Sequence, residues 1–327
     1  MATMRPMLAT PGTHVPAGDE WVHEVKWDGI RLLADVAKGR TTAQLTTRNE
    51  NVATVAWPEV AAPGTGSGRD LLVDGEVIAL NDAGLPDFRA LADRMHVRDA
   101  RRAARFAESR PATYMVFDVL RLDGRMLLDL PWTERRAILE GLAAQDLMGG
   151  AWQVPATYDD GAMLHEVTRE QGLEGIVSKR RSSRYRPGER SREWLKFPHR
   201  FRGSYVVGGW RPQVGTSDRL AALLVGQPTP AGLVYRGRVG SGIGASESRQ
   251  LRALLAEAPS SPFLGPADDP AGGVPREDAV GTRWTRPLLV VDVETHGRHT
   301  AVPNQVGRLR QPAFIGTRPD LGPEDLL

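Results

Sequence analysis

Short extended segments, each closed by glycine, proline or an Asp-Gly pair, constrain this chain most, because such runs specify sheets joined by tight connections. In the first two thirds, residues 20–25, 30–36, 41–47, 70–80 and 113–122 read as strands, the first two flanking an Asp28-Gly29 turn. Residues 174–179 and 193–197 continue the pattern. Helical periodicity falls at 88–94, 100–108, 133–144 and 161–171, the third opening on a Thr133 cap behind Pro131. Extended runs with helices around them predict an α+β domain of antiparallel sheets with flanking helices. Beyond Gly203 the character changes. Residues 204–210, 220–226, 233–239 and 288–294 are short apolar or β-branched runs with one helical stretch, 246–257, between them. That pattern predicts an all-β barrel of the OB type. The expected domains are therefore 1–199 and 203–327, divided at Pro198–Gly203, with 260–278 a mobile loop.

Composition narrows the function classes. No apolar run reaches transmembrane length and the first residues lack a signal-peptide core, so a soluble chain with no membrane partner is expected. The absence of cysteine excludes disulfides and thiolate metal sites and fits a cytoplasmic setting. The formal charge is only +2, yet it is unevenly placed. Between Lys179 and Arg202 run Arg180, Arg181, Arg184, Arg186, Arg190, Arg192, Lys196 and Arg200, opposed only by Glu189 and Glu193. Tyr185, Trp194 and Phe197 interleave this band, which suits a phosphate backbone better than a plain solvated face.

Of the 42 basic residues only four are lysine: Lys26, Lys38, Lys179 and Lys196. Arginine supplies surface charge equally well but cannot become a neutral amine, so the retained lysines are candidates for covalent chemistry. Lys38 lies in an ordinary turn. Lys26 lies in Lys-x-Asp-Gly-x-Arg, with Asp28, Gly29 and Arg31. Asp and Gly form a turn, and Arg31 can bind a phosphate or ribose oxygen. Alone, that motif reads equally well as a hairpin with an exposed lysine.

It is followed in order by Thr47–Glu50, Asp74–Leu80, Tyr114–Asp118, Glu174–Lys179 and Trp194–Phe197. Together these resemble the nucleotidyltransferase motifs of ATP-dependent DNA ligases, and the C-terminal half resembles their OB domain through Arg236–Ser241 and Leu309–Phe314. The likeness extends from Arg5 to Asp320 and is greatest to the compact bacterial ligases of the C and D type. With no polymerase, nuclease or amino-terminal DNA-binding domain, it implies a minimal ligase, with the OB domain closing about a hinge at 198–203.

The resemblance implies roles for individual residues. Lys26 would be the nucleophile that carries AMP. Arg31 and Arg48 would bind phosphate or ribose and later DNA, and Glu76 the ribose hydroxyls. Phe117 would stack on adenine, although an aromatic residue in a strand is more often core. Glu24 and Val25 would line the adenine pocket. Glu174, with Glu76, would hold magnesium or manganese, and Lys179 and Lys196 would neutralise the transferring phosphoryl group. Arg184, Arg200, Arg236 and Arg238 would contact DNA. Two positions depart from the family pattern. Pro198 stands where a second lysine is usual, leaving His199, Arg200 or Lys179 as substitutes, or a site that runs with one lysine. Leu321 replaces a terminal lysine, leaving Arg308, Arg310 and Arg318 to orient pyrophosphate.

The implied substrates are ATP and nicked or broken double-stranded DNA, the implied setting a bacterial cytoplasm at the nucleoid. End-joining or repair proteins are the expected partners, and the chain is expected to be a monomer. The alternatives are a GTP-using capping-type guanylyltransferase, an RNA ligase, or a non-catalytic nucleic-acid-binding OB protein.

Overall fold

A computed structural model of the 327-residue chain describes residues 4–62, 69–81, 84–145, 150–216, 218–265, 268, 273–296 and 307–327. The chain divides into two compact units, Met1–Pro198 and His199–Leu327. The strands of the first unit are β1 (Leu8–Pro11), β2 (Trp21–Val25), β3 (Ile30–Val36), β4 (Gln44–Thr47) and β5 (Leu71–Ala79). They continue with β6 (Ala112–Leu122), β7 (Arg125–Met126), β8 (Trp152–Gln153), β9 (Gly175–Arg180) and β10 (Arg190–Pro198). Its helices are α1 (Pro58–Ala61), α2 (Phe88–Ala92), α3 (Ala100–Ser109), α4 (Trp132–Ala144) and α5 (Gly161–Glu170).

Two sheets result. One has the order β1-β10-β9-β2; the other runs β4-β3-β5-β6-β7, with β8 paired to β6. The expected turn at Asp28-Gly29 therefore does not make a hairpin, because β2 and β3 belong to different sheets. Lys26 N–H still bonds Gly175 O at 2.8 Å, and Ile30 already pairs with Val77, so residues 27–29 cross from one sheet to the other. Gly29 is needed at that crossing, since a Cβ there would lie 2.1 Å from the carbonyl oxygen of Val77.

Strand alternation sorts the large sheet into two faces. Leu32, Ala34, Val73, Val77 and Val116 join the main core with Trp57, Val60 and Leu139. From the other face, Leu33, Leu72 and Leu120 pack on Met7, Tyr185 and Trp194, with Phe117 against them. This second, smaller cluster joins the two sheets.

The second unit contains β11 (Arg200–Pro212), β12 (Leu220–Thr229), β13 (Gly232–Val239), α6 (Ala245–Leu254), α7 (Arg276–Ala279), β14 (Arg283–Trp284), β15 (Val290–His296) and β16 (Ala313–Thr317). They form one sheet of order β13-β12-β11-β15-β16, with β14 on β11. Its two edges meet. Ser241, just past β13, bridges Ala313, and Phe314 N–H bonds Ser241 O at 2.8 Å. Leu309 N–H also bonds Arg236 O at 2.7 Å. Val207, Leu223, Val239, Leu251, Val293 and Phe314 fill the interior. The chain is thus mixed α/β, with several sheets and few helices.

Several local expectations need correction. Thr133 does not cap α4: Pro131 occupies the cap position without a side-chain bond, and Thr133 N–H goes instead to Arg181 O at 3.2 Å. Strand β4 starts at Gln44, because Thr41 and Thr42 are solvent-facing. Helix α6 stops at Leu254, three residues early, and Glu257 pairs with Thr285 in a bridge. The run expected from 288 begins as a strand only at Val290, and Leu288 is exposed. Within 260–278, Phe263 and Val274 are buried and α7 begins at Arg276, so this stretch is not simply a loop. Positions 266–267 and 269–272 of it lie outside the described residues.

Candidate active site

A cleft in the first unit is lined from both sheets. Leu8, Ala9, Glu24, Val25, Val177, Lys179, Arg190, Trp194 and Lys196 come from the small sheet, and Arg31, Glu76 and Phe117 from the large one. Lys26 and Trp27 enter from the crossing and Arg48 from just past β4. Lys26 Nζ lies 2.6 Å from a Glu174 carboxylate oxygen, with both side chains mostly buried. Glu174 precedes β9 and reaches the cleft through this contact.

Arg31 stands directly opposite Glu76 in the β3–β5 ladder, but its guanidinium turns diagonally to Asp74. Nε and Nη2 donate to the two Asp74 oxygens at 2.7 and 2.6 Å, and Nη2 also donates to Met7 O at 3.0 Å. Asp74 is fully buried, and the pairing is bidentate and charge-assisted. Burial works against the Arg31 charge, but Asp74 outweighs it and raises the pKa of the guanidinium.

Asp74 and Glu76 are two residues apart on one strand and so share a face. Burial pushes the Glu76 carboxyl up to about 7, against the opposing pull of Arg31 and Lys26. A carboxyl whose folded pKa exceeds its unfolded value binds more protons when folded, so stability falls as pH rises from about 4.5 to about 7. Replacing Glu76 with Gln should flatten that part of the Tm–pH curve and gain on the order of 3 kcal/mol above pH 7. An unchanged slope in thermal melts between pH 4.5 and 7 would rule out Glu76 as the source.

Lys179 and Glu24 form a second buried pair at 2.8 Å. The Lys179 ammonium also lies 4.5 Å from the Phe117 ring centroid and 4.4 Å from that of Trp194. Burial lowers the Lys179 pKa, and the Glu24 charge opposes the shift. Lys196 is also lowered, first by burial and then by the neighbouring Lys26 charge. The other Glu24 oxygen, Oε1, and the indole nitrogen of Trp27 are buried without a hydrogen-bond partner among the described residues. Orphaned polar atoms of this kind in a cleft suit a ligand that carries both donors and acceptors.

Of the residues singled out from sequence, Glu24, Val25, Lys26, Arg31, Arg48, Glu76, Phe117, Lys179 and Lys196 converge here, and Glu174 joins them through Lys26. Arg184 does not; it is exposed, 3.7 Å from Asp129. The rest belong to the second unit. There Arg200 pairs with Glu294 at 2.7 Å, Arg238 with Asp278 at 3.0 Å, and Arg318 with Asp320 at 2.7 Å. Arg236 bonds Gln227 at 3.2 Å, Arg308 lies 5.8 Å from the Tyr235 ring centroid, and Arg310 is half-buried.

Sequence reasoning gave Asp74 and Trp27 no role in the cleft, and placed Tyr185, Trp194 and Arg190 only in the basic band. The period-two alternation that places Asp74 beside Glu76 was a usable signal for the first of these. Nothing local in the sequence announces the contact of Tyr185, because its partners are 111 and 178 residues away.

Residues 6–197 match the family described as ATP dependent DNA ligase domain, and residues 216–321 match the ATP dependent DNA ligase C terminal region. The multifunctional non-homologous end joining DNA repair protein LigD of Mycobacterium tuberculosis is 35% identical over 99% of this chain. The alignment covers 40% of that relative, so this chain spans well under half its length. DNA ligase C of the same organism is 31% identical over 82% of this chain and 73% of its own. Among solved structures, the ligase domain of M. tuberculosis LigD shares 34% identity and a TM-score of 0.53, covering 99% of this chain and 98% of that one. A mycobacterial DNA ligase D complexed with ATP and MES gives a TM-score of 0.55 at 33% identity, with coverage of 99% and 98%. This chain belongs to the ATP-dependent DNA ligase family.

Proposed function

We propose that this chain seals breaks in DNA with ATP, through an AMP carried on Lys26. The observation that carries the reading is the contact of Lys26 Nζ with Glu174 at 2.6 Å, in a cleft that holds aromatic rings, cations and a protonatable carboxylate. The neutral Lys26 amine attacks the α-phosphorus of ATP. A nitrogen–phosphorus bond forms, pyrophosphate leaves, and Glu174 is the nearest group to take the proton. A 5′-phosphate oxygen of the broken strand then displaces Lys26, which leaves as an amine, and AMP becomes linked to the DNA. The adjacent 3′-hydroxyl attacks that 5′-phosphorus, closes the backbone and releases AMP. Alignment and charge neutralisation supply most of the rate in such transfers.

Roles for the remaining residues follow from their chemistry. Phe117 and Trp194 offer rings for the base, and the unpartnered Glu24 oxygen accepts from an amino group. Arg31 keeps Nη1 for phosphate or ribose, while Arg48, Lys179 and Lys196 balance phosphate charge. Glu76 accepts from ribose hydroxyls. Glu174 and Glu76 are hard oxygen donors that would hold a magnesium or manganese ion, which would neutralise phosphate charge. Among the described residues no group of three or more His, Asp or Glu side chains could hold an ion, so ATP oxygens and water must complete such a shell.

The second unit, with its closed sheet, is an OB-type barrel that binds DNA through Arg200, Arg236 and Arg238. Arg308, Arg310 and Arg318 orient the pyrophosphate. In the first unit, Arg184 meets the DNA backbone. The protein acts as a monomer in bacterial end joining, in keeping with its likeness to non-homologous end joining proteins. The test is an incubation of the purified protein with nicked duplex, magnesium or manganese, and labelled ATP or GTP. ATP should label the protein and the nick should close. Labelling by GTP alone would replace this reading with a capping-type guanylyltransferase.

A further inference from the structure

We infer that Tyr185 is a positioning residue, whose hydroxyl fixes the Asp74 carboxylate and thereby sets which edge of the Arg31 guanidinium faces the nucleotide. The inference rests on the ligase reading above. Tyr185 is 2% exposed and lies between β9 and β10, in the small sheet's part of the chain, whereas Asp74 and Arg31 lie in the large sheet. Its hydroxyl donates to Asp74 Oδ2 at 2.5 Å and accepts Met7 N–H at 3.1 Å. Met7 closes the circuit, because its carbonyl accepts from Arg31 Nη2 at 3.0 Å. Four residues from distant parts of the chain therefore form one hydrogen-bonded ring around a fully buried carboxylate.

Asp74 takes Nε and one Nη2 donor of Arg31, and Met7 takes an Nη2 donor as well. Only Nη1 has no hydrogen-bond partner among the described residues. A guanidinium free on one edge binds a phosphate or ribose oxygen in a single orientation. Without the Tyr185 hydroxyl, the carboxylate can rotate about its last side-chain bond, and the fork follows it. Burial, and next the Asp74 charge, hold the Tyr185 phenol well above its ordinary pKa, so it remains a donor across the working range. The ring itself is held in place, edge-on to Trp194 at 5.8 Å between centroids and beneath the Arg135 guanidinium.

A double-mutant cycle tests this, with the rate of lysyl-adenylate formation measured at subsaturating ATP. Tyr185→Phe alone should lower that rate about tenfold, equivalent to about 1.4 kcal/mol, and should do so mainly by raising KM for ATP. In an Arg31→Lys background, where no fork remains to be oriented, the same change should cost less than about twofold. Independent, additive effects of the two substitutions would overturn the inference, because a merely structural tyrosine would weaken both backgrounds alike. If Arg31→Lys does not fold, Asp74→Asn provides the second arm with the same expectation. A wild-type protein that takes no label from ATP would count against the ligase reading instead, so the two failures are distinct.

Discussion

Replacing Lys26 with alanine should abolish adenylation and nick sealing while leaving DNA affinity within about threefold, since on the proposed mechanism one cation contributes a single phosphate contact among many. Lys26→Arg should fail equally, although it keeps the charge, because a guanidinium does not shed its proton near neutral pH. The pair of variants thus separates a nucleophile from a phosphate-binding cation. The readouts are retention of labelled AMP on denatured protein and closure of a nicked duplex. Sealing by either variant above the no-enzyme background would remove Lys26 from the chemistry. Glu174 provides an internal control. It loses its partner at 2.6 Å in Lys26→Ala but stands close to a cation in Lys26→Arg, so a fold defect would distinguish the two variants.

The second large effect is on stability. Asp74→Ala removes a fully buried carboxylate that holds two guanidinium nitrogens and the Tyr185 hydroxyl. Removing one partner of a buried pair costs about 3–5 kcal/mol, because the other charge is left unpaired. At roughly 2–4 °C per kcal/mol for a domain of this size, the melting temperature should drop by roughly 10 °C. Asp74→Asn keeps the shape and one acceptor and should lose less. A drop below about 2 °C for Asp74→Ala, by calorimetry, would show that the ring contributes little to holding the sheets together.

The strands that carry the motifs could be read from the sequence because each is a short β-branched or aromatic run bounded by a turn former, as at Leu71–Ala79 and Ala112–Leu122. What escaped was pairing. Alternation sets which side chains share a face, but not which sheet a strand joins, and so Asp28-Gly29 looked like a hairpin. Strand β1 escaped too, since four residues ending on Pro11 carry no period. In the site, lysine scarcity and motif order led to Lys26, Lys179 and Lys196, whose chemistry is rare in this chain. Asp74 and Tyr185 gave no comparable signal. An aspartate before glycine reads as a turn former, and a tyrosine inside an arginine-rich run reads as part of a basic surface.

The crossing at residues 27–29 bears on how the first motif should be read. Lys26 is anchored to one ladder through Gly175 and Ile30 to the other through Val77, leaving three residues to make the crossing. The interval from Lys26 to Arg31 therefore works as a ruler cut to the gap between two layers. Its length and its glycine answer to architecture, whatever reaction takes place above them. A relative that had lost the chemistry would still have reason to keep the spacing. The motif is thus a record of scaffold as well as of the proposed catalysis, and its lysine, rather than its rhythm, is the position at which to test for activity.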